Sequence, residues 1–405
     1  MKVVDLAERI IDYRGKTPPK STEGVPLITA KVIKGGRINA PKEFITEQTY
    51  GEWMRRGLPQ QWDVLITTEA PLGEVALLRT ADRIALAQRV ILIRGRAELV
   101  DQRYLAFALQ SPLVQGRLKA RATGTTVQGI KQSELRQVDV PLPPLRVQQK
   151  IAAVLAAYDE LVENNLRRIE ILEEMARAIY REWFVNLRYP GREADDLVGS
   201  PAGSIPEGWR SEIFATIASE VRDGVNPDTL DPATPYVGLE HIPRQSIALQ
   251  EWGRTADVKS RKWTFVEGDI LFGKLRPYFH KVVEAPLAGV CSTDTIVIRP
   301  DRRYCDYALL VASSPEFVGR ATATAGGTDR PRAKWSDLAA YGIVLPDDAI
   351  LERLSSVVRP KIDLIFNLVR QNAGLRSTRD LLLPRLVSGE IDLSDLDIDT
   401  TWLAA

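Results

Sequence analysis

The sequence contains one internal duplication, and this feature limits the architectures that the chain can adopt. Asp63-Val64-Leu65-Ile66 recurs as Asp269-Ile270-Leu271-Phe272, and Tyr104 recurs as Tyr307. From Tyr104 onward the two copies are offset by 203 residues. The repeats of solenoid proteins are about 20–45 residues long, so this period does not indicate such an array. We therefore expect one domain with an adjoining helix to occur twice.

Each copy is predicted to combine a strand-rich part with helices. Short β-branched runs such as Val90-Ile91-Leu92-Ile93 are interrupted by Gly and Pro, a pattern typical of strands and turns. A helix is expected over residues 104–118, where apolar residues recur near helical spacing. A much longer helix is expected over residues 147–184. Its seam alternates spacings of four and three residues through Ile151, Leu155, Tyr158, Val162, Asn165, Ile169, Leu172, Ala176, Ile179 and Trp183.

The same register recurs 203 residues later as a second, less regular seam. Its positions are Leu354, Val358, Lys361, Ile365, Leu368, Asn372, Leu375, Arg379, Leu382 and Leu386. Pro360 is expected to kink this helix and Pro384 to end it near Leu383, because proline cannot donate a backbone hydrogen bond. We expect the two long helices to pair as an antiparallel coiled coil with a globular domain at each end.

The composition indicates a soluble chain of two or three domains, with 405 residues and a charged fraction of 26%. No apolar run approaches the ~18 residues of a membrane helix, and the first residues include acids where a signal peptide would be apolar. Only two cysteines occur, so we expect a reducing cytoplasm and no disulfide framework. Residues 1–143 hold 22 basic and 15 acidic residues, and this net charge of +7 suggests a polyanionic partner.

These patterns predict an α+β protein with six segments. They are a strand-rich domain at 1–143, a central long helix at 144–188, a linker at 189–208, a second strand-rich domain at 209–346, a C-terminal long helix at 347–393 and an acidic tail at 394–405. The linker is rich in Gly, Pro and acids, and the tail is expected to be a frayed terminus.

The motifs of several enzyme classes are missing. The chain has no G-x-x-x-x-G-K-[ST] loop, no G-x-G-x-x-G after a strand, no Asn/Asp-Pro-Pro-aromatic motif and no H-E-x-x-H or C-x-x-C motif. Asp269 with Lys274 comes nearest to a metal-dependent nuclease pair, but Asp269 lies in a turn that leads into a strand. Cys291 and Cys305 are expected to be buried thiols. We therefore expect no catalytic or metal-ligating residues.

Each copy has a loop rich in Gly, Thr and cations shortly before its long helix. Small residues let backbone amides approach phosphates, threonine and glutamine can bond phosphates or base edges, and arginine can pair with guanine. A solvated flexible loop is the alternative, but recurrence at matched positions favours nucleic-acid binding. The candidates are Lys119, Arg121, Thr123, Thr125, Thr126, Gln128 and Lys131 in the first copy, and Arg320, Thr324, Thr328, Arg330, Arg332 and Lys334 in the second.

Two weaker sets of candidates lie elsewhere. Alternate residues after a predicted strand of the second copy would share one face of an extended segment, namely Lys274, Arg276, Tyr278 and His280. The counterpart in the first copy, residues 67–71, is not cationic, so the two copies would recognise different DNA sequences if both segments contact DNA. Lys16 and Thr17 could contact a DNA backbone, although a surface turn is the simpler interpretation there.

The chain resembles the specificity subunits of type I restriction-modification enzymes over nearly its whole length. The resemblance rests on an ordered set of short motifs, which are Trp62-Asp63-Val64-Leu65, Val140-Pro141-Leu142-Pro143-Pro144-Leu145-Arg146-Val147-Gln148-Gln149-Lys150-Ile151, Ile205-Pro206-Glu207-Gly208-Trp209, Gly268-Asp269-Ile270-Leu271, Phe272-Gly273-Lys274-Leu275-Arg276-Pro277-Tyr278 and Leu383-Pro384-Arg385-Leu386-Val387-Ser388-Gly389-Glu390-Ile391. The sequence departs from the family pattern at two places. Val147 stands where the family usually has an acid, and Leu345-Pro346-Asp347 replaces Pro-Pro-Leu, which predicts an altered start of the second long helix.

The resemblance implies a non-catalytic subunit with two target recognition domains, 1–143 and 209–346, which each recognise one half of a bipartite DNA sequence. The two conserved helices would set the gap between the halves. Two methylation subunits and the restriction/translocase subunits would be its partners, and S-adenosylmethionine, ATP and Mg²⁺ would belong to them. Tyr180, Trp183 and Phe184, expected on an exposed helix face, could dock the methylation subunits.

Three alternatives remain open from the sequence. The chain could be a stand-alone nuclease with an unrecognised site, a scaffold without a DNA role, or the specificity subunit of another methyltransferase-based phage-defence system. Only the first alternative predicts that the purified chain alone cleaves DNA.

Overall fold

The computed structural model of the chain describes residues 1–13, 15, 17–124, 126–191, 197–200, 203–327 and 329–404. Its α-helices are α1 (Val3–Leu6), α2 (Glu47–Trp53), α3 (Gln102–Gln110), α4 (Pro112–Ala120), α5 (Gln132–Leu135), α6 (Leu145–Tyr180), α7 (Cys305–Ala312), α8 (Pro315–Ala323), α9 (Trp335–Ala339) and α10 (Asp348–Ser388). A π-helical turn, Arg181–Val185, extends α6.

The strands follow one another in short segments. They are β1 (Ala7–Asp12), β2 (Val25–Ile28), β3 (Ile33–Lys34), β4 (Arg37–Ile38), β5 (Phe44–Ile45), β6 (Val64–Thr68), β7 (Leu72–Leu77), β8 (Ala85–Leu86), β9 (Val90–Gly95), β10 (Leu197–Ser200), β11 (Gly203–Pro206), β12 (Arg210–Ile213), β13 (Ala218–Val221), β14 (Gly224–Val225), β15 (Pro235–Val237), β16 (Gly253–Arg254), β17 (Lys262–Phe265), β18 (Ile270–Gly273), β19 (Val282–Glu284), β20 (Gly289–Cys291), β21 (Thr295–Pro300) and β22 (Gly342–Leu345).

Contacts between residues divide the chain into two units. The first unit comprises Met1–Leu161 and Leu375–Ala405, and the second comprises Val162–Gly374. The division passes through both α6 and α10, so each unit contains a strand-rich body and a stretch of both long helices. The segment Leu375–Ala405 therefore belongs to the first unit.

The two units repeat one sheet topology. An antiparallel sheet of the first unit has the strand order β1-β9-β6-β7, and the equivalent strands of the second unit have the order β13-β21-β18-β19. The sheet β5-β2-β8 contains the parallel pair β2–β8, and the series β16-β15-β20 contains the parallel pair β15–β20. The predicted duplication is thereby confirmed in strand order and direction.

The same ion pair, formed by a buried aspartate and an arginine, occurs in each unit. Arg94 donates to both carboxylate oxygens of Asp63 at 2.8 and 2.7 Å, and Arg299 donates to both oxygens of Asp269 at 2.7 Å. Both carboxylates are almost fully buried, and each also accepts the backbone N–H from three residues earlier. Asp269 is therefore a structural residue, not half of a nuclease pair with Lys274.

The helix expected over residues 104–118 is in fact two helices, α3 and α4. Ser111 separates them in an extended conformation, and its side chain caps α4 by accepting the N–H of Val114 at 3.4 Å. Pro112 occupies the first position of α4, where its missing N–H costs nothing, whereas in one continuous helix it would break a hydrogen bond. Ser314 caps α8 in the same way before Pro315.

The two predicted helical seams are confirmed by burial. Every predicted seam position on α6 and α10 that the structure describes is buried or half-buried. The two seam asparagines meet in the second unit, where Asn165 donates a 3.0 Å hydrogen bond to Asn372. Both side chains are at least nine-tenths buried. The pair fixes the register of the helices there, because any shift would leave a buried amide unpaired.

The long helices run antiparallel in the first unit. Arg379 of α10 donates to Asp159 of α6 at 2.5 Å. Nine residues earlier in α6, Lys150 donates to the carbonyl oxygens of Leu393 and Ser394, beyond the end of α10. Residues later in α6 thus contact residues earlier in the C-terminal segment. This is the antiparallel arrangement expected from the sequence.

The C-terminus of α10 differs from the prediction. The helix continues through Pro360 and Pro384, and it stops before Gly389, whose φ of +80° suits the glycine that commonly follows a helix. Leu383 and Leu386 are buried in the core of the first unit. Their packing holds the last turn in place despite the hydrogen bond that Pro384 cannot donate.

The acidic tail is packed, so the expectation of a frayed terminus is wrong. Leu393 and Leu403 are each only 5% exposed and belong to the core of the first unit. Ile398 and Trp402 pack against the same core. The apolar residues between the acids, not the charges, determine where this segment lies.

The two long helices start differently, as the departures in the sequence predicted. Gln148, near the start of α6, is 1% exposed, and its side-chain amide makes three hydrogen bonds to the backbone of the first unit. The equivalent position in α10 is the buried Leu351. Asp347 instead caps α10, because its carboxylate accepts the N–H of Ile350 at 2.9 Å.

Candidate nucleic-acid interface

The Gly/Thr loop that follows α4 and the one that follows α8 are closed by equivalent backbone hydrogen bonds. Thr123 and Gly129 exchange both backbone hydrogen bonds, at 2.8 and 2.9 Å. Gly326 and Arg332 exchange both bonds at 3.3 and 3.0 Å. These pairs are 203 residues apart, so each closes a hairpin at an equivalent place. We call residues 123–129 the first hairpin and residues 326–332 the second hairpin.

A glycine in the left-handed region shapes each hairpin. Gly124 has a φ of +107° and Gly327 a φ of +100°. A Cβ added to Gly124 would lie 2.3 Å from the carbonyl oxygen of Val127, and one added to Gly327 would lie 3.3 Å from that of Arg330. A side chain at Gly124 would therefore clash with the backbone, so glycine is required for this turn.

Each hairpin is tied to the end of one central strand. Ile130 donates its N–H to the carbonyl oxygen of Thr68 at 3.0 Å, and Ala333 donates to that of Lys274 at 2.9 Å. Thr68 ends β6, and Lys274 directly follows β18. The hairpins are thus held by the sheets and present their side chains from a fixed base.

Most of the predicted binding residues are exposed on or beside these hairpins. The exposed candidates are Lys119, Thr123, Thr126, Gln128, Lys131, Arg320, Arg330, Arg332 and Lys334, together with Thr17 and Tyr278. Arg121 is half-buried and pairs with Glu134 at 3.2 Å. The hydroxyl of Thr324 donates to the carbonyl oxygen of Arg320 within α8. Three candidates, Lys16, Thr125 and Thr328, lie outside the described residues.

The expected strand face of Lys274, Arg276, Tyr278 and His280 is wrong. Strand β18 ends at Gly273, and Pro277–Phe279 forms a 3-10 turn between two residues with a φ of +52°, Arg276 and His280. Proline at the centre of the segment cannot continue a strand ladder. Lys274 and Arg276 still lie at the base of the second hairpin, because Arg276 donates its backbone N–H to the carbonyl oxygen of Pro331 at 2.7 Å. His280 contacts the carbonyl oxygen of Ser313 at 2.8 Å.

The aromatic residues expected on an exposed helix face are inside the second unit. Trp183 is 8% exposed and Phe184 7% exposed, and Tyr180 is half-buried. The ring centroids of Phe184 and Tyr307 are 4.9 Å apart, and those of Phe184 and Trp209 are 5.7 Å apart. These three rings pack in or against the core of the second unit, so they do not offer a surface to another subunit.

Below each hairpin lies a cleft whose residues come from distant parts of the sequence. The first-unit cleft has a volume of about 420 Å³, and its lining includes the ion pair of Glu69 and Arg89, 3.3 Å apart. The second-unit cleft has a volume of about 440 Å³, and its lining includes Trp263 and Trp335. None of these four residues was identified from the sequence. The duplication alone pointed to these clefts, because Lys131 and Lys334 occupy equivalent positions in them.

Other chemistry is limited in the part of the chain that the structure describes. No group of three or more His, Cys, Asp or Glu residues there could hold a metal ion. Burial raises the pKa of Cys291 to about 12, so its thiol stays protonated and unreactive near neutral pH. Cys305 is half-buried and unpaired. No described helix has the length and apolar character needed to cross a bilayer.

Comparison with known proteins gives a consistent family assignment. Residues 2–174 match the family described as type I restriction modification DNA specificity domain. The chain is 27% identical to the type I restriction enzyme MjaIX specificity subunit of Methanocaldococcus jannaschii, over 98% of this chain and 94% of that protein. It is 26% identical to the type I restriction enzyme EcoDI specificity subunit of Escherichia coli, over 45% of this chain and 46% of that protein.

A solved structure shares the fold. The type I restriction-modification system S subunit from M. genitalium superposes with a TM-score of 0.53 at 14% identity, and the match covers 96% of this chain and 95% of that one. Duplicated strand-rich domains, two long helices, the ordered motifs and these likenesses agree with one another. Residues 2–174 belong to the type I restriction modification DNA specificity domain family, and nearly the whole chain is similar to a type I restriction enzyme specificity subunit.

Proposed function

We propose that this chain determines which DNA sequence a type I restriction-modification enzyme recognises, with residues 1–143 and 209–346 as two target recognition domains. Each domain contacts one half of a bipartite, double-stranded target through its hairpin. The observation that carries the proposal is the matched pair of hairpins at equivalent positions of a duplicated fold, each with exposed Lys or Arg side chains on or beside it. A duplication that supplies two similar surfaces suits a target with two separate parts.

The two hairpins carry different side chains at equivalent positions. Val127 and Gln128 of the first hairpin correspond to Arg330 and Pro331 of the second. Glutamine commonly pairs with adenine, whereas arginine pairs with guanine. The two halves of the target therefore differ, and the whole target is not a palindrome.

The reactions belong to other subunits. Two methylation subunits would carry S-adenosylmethionine, and restriction/translocase subunits would carry ATP and Mg²⁺, while this chain binds none of these cofactors. This division is supported by the missing catalytic motifs of the sequence and by the structural role of Asp269. We place the assembled complex in the cytoplasm, where its DNA substrate is present.

Base-resolution methylation mapping in cells with and without the gene tests this function. We expect a two-part motif to be methylated in the presence of the gene and unmethylated after its deletion. An unchanged methylation pattern would contradict the proposal. Cleavage of DNA by the purified chain alone would favour a stand-alone nuclease instead.

Matched hairpin variants test the assignment of one half-target to each domain. Gln128→Ala should alter methylation only at the half recognised by residues 1–143, and Arg330→Ala only at the other half. The loss of one base contact is expected to cost about 1–3 kcal/mol of discrimination. If the combined variant of Thr125, Gln128, Arg330 and Arg332 leaves the DNA affinity of the assembled complex unchanged, the hairpins are not the recognition surface and a scaffold role is favoured.

A further inference from the structure

The cleft below the second hairpin has the composition of a small-molecule site. Its volume of about 440 Å³ lies within the ~300–1,000 Å³ that such sites occupy. Trp263 on β17 and Trp335 on α9 line it, and both indoles are half-buried. Lys274, Lys334 and Thr295 line it as well. Aromatic, cationic and hydroxyl groups thus meet in one concave place.

A buried hydroxyl in this cleft has no partner. Thr295, at the start of β21, is 1% exposed, and its Oγ1 makes no hydrogen bond with any residue that the structure describes. Burying a hydroxyl without a hydrogen bond is unfavourable, so such atoms normally have a partner. Thr295 is one of the residues that line the cleft.

The charges of the cleft are only partly neutralised within the chain. Arg222 pairs with Glu220 at 2.8 Å, and Arg332 pairs with Asp294 at 3.2 Å. Lys274 and Lys334 have no ion-pair partner among the described residues. Two positive charges therefore remain for an anion, and a phosphate group carries the matching charge.

We propose that the second-unit cleft binds one nucleotide, with its base stacked on the indoles of Trp263 or Trp335 and its phosphate held by Lys274 and Lys334. Indole faces stack on any nucleobase, and lysine binds phosphate as a point charge. The Thr295 hydroxyl gains a hydrogen bond to the bound nucleotide. Where the nucleotide is one displaced from duplex DNA, the inference rests on the proposed function. A free nucleotide would be recognised by the same chemistry.

The equivalent cleft of the first unit lacks this chemistry. Among the described residues that line it there is no aromatic side chain. Its Arg89 is paired with Glu69, which leaves Lys131 as the lining cation without a described ion-pair partner. Nucleotide binding is therefore expected in the second unit only, and Lys131 offers a matched control for Lys334.

Titration of the full chain with each of the four deoxynucleoside 5′-monophosphates, followed by ligand-observed NMR, tests the site directly. We expect binding at millimolar concentration. Lys334→Ala should weaken it by about tenfold, as expected for the loss of one charge-assisted contact, whereas Lys131→Ala should leave it unchanged. Thr295→Val should weaken binding while leaving the thermal unfolding midpoint of the free chain equal or higher, because it removes an unpaired buried hydroxyl.

A second arm distinguishes the two sources of the nucleotide. Duplexes that carry the mapped target with 2-aminopurine at successive positions are bound to the complex of this chain with its methylation subunits. A fluorescence increase in the half recognised by residues 209–346 that Lys334→Ala abolishes identifies a displaced DNA nucleotide. Binding of the free monophosphates without that increase identifies a free nucleotide as the ligand. An increase that Lys334→Ala does not change counts against the cleft as the binding site.

The absence of both signals, or equal weakening by Lys131→Ala and Lys334→Ala, overturns the inference. The proposed function is judged separately, because the two-part methylation motif is present or absent whatever the titration shows.

Discussion

Arg359 donates a 2.9 Å hydrogen bond to Glu284, which joins the second long helix to strand β19 inside the second unit. The same guanidinium pairs with Asp306 of α7, and Asp363 lies 3.8 Å away on α10. One arginine thus faces two buried carboxylates. The cluster therefore carries more negative charge than a simple ion pair. The carboxylate in it that is hardest to ionise is the one whose protonation changes with pH.

Glu284 is predicted to make the stability of the chain depend on pH. Burial raises its pKa to about 7, against the lowering effect of Arg359 and with further raising by Asp306 and Asp363. An ordinary glutamate in the unfolded chain has a pKa of about 4.3. The stability that Glu284 gives the folded chain is therefore fully present below about pH 4.3. It is lost as pH rises through about 7.

The measurement for Glu284 is the denaturant midpoint between pH 5 and pH 7.5, for the natural chain and for Glu284→Gln. We expect the natural chain to lose stability relative to the variant as pH rises across this range. A difference between the two proteins that does not change with pH would show that Glu284 is ionised throughout.

The pairing of Asn165 with Asn372 predicts a contrast between single and double variants. Asn165→Leu leaves the amide of Asn372 buried and unpaired, which should cost about 1–3 kcal/mol. The double variant with leucine at both positions removes both polar groups and should recover that loss or exceed the natural stability. Urea unfolding of the three proteins measures this contrast. A double variant that is no more stable than the single one would mean that the hydrogen bond does not determine the effect.

The two buried aspartate–arginine pairs are predicted to differ in strength. Arg94 is 13% exposed beside Asp63, whereas Arg299 is 43% exposed beside Asp269. Removing the carboxylate leaves an unpaired cation, which is less favourable the more deeply that cation is buried. Asp63→Ala should therefore lower the stability of the chain by about 3–5 kcal/mol, and Asp269→Ala should lower it less. Glu47→Ala, at an exposed pair with Arg83, is the control and should be nearly neutral, because solvent screens this pair. Equal losses for all three variants in thermal unfolding would refute the ranking.

The packed tail predicts that its apolar residues stabilise the first unit. Leu403→Ala removes a buried side chain and should cost about 2–3 kcal/mol, whereas Leu396→Ala, at a position that is 53% exposed, should be nearly neutral. Amide hydrogen exchange of residues 145–161 and 375–388 would show faster exchange in the first variant only. Equal exchange in both variants would indicate that the tail does not support this unit.

The duplication and the helical seams could be predicted from sequence because both are periodic. Residue pairs such as Tyr104 and Tyr307 keep a constant separation, and they also make equivalent hydrogen bonds, to the carbonyl oxygens of Pro141 and Val344. Periodic patterns reflect burial, which is the dominant driving force of folding. The positions of the hairpins followed from the same offset.

The clefts and the ends of segments could not be predicted, because they depend on residues that are distant in sequence. Trp263 and Trp335 meet Lys274 only after several strands have assembled. Pro384 lies inside a helix because neighbouring side chains are buried by another part of the chain. Local propensity alone predicts the opposite, and tertiary packing overrides it.

The contribution of Leu375–Ala405 to the first unit has a consequence for synthesis on the ribosome. Val162–Gly374 is one continuous stretch, so the second unit can complete its fold as soon as it emerges. The unit that contains Met1 must wait until Leu386 and Leu403 have also emerged, because its core includes both residues. A stop codon shortly before Leu375 would therefore impair the fold of residues 1–161, although it lies more than two hundred codons after them.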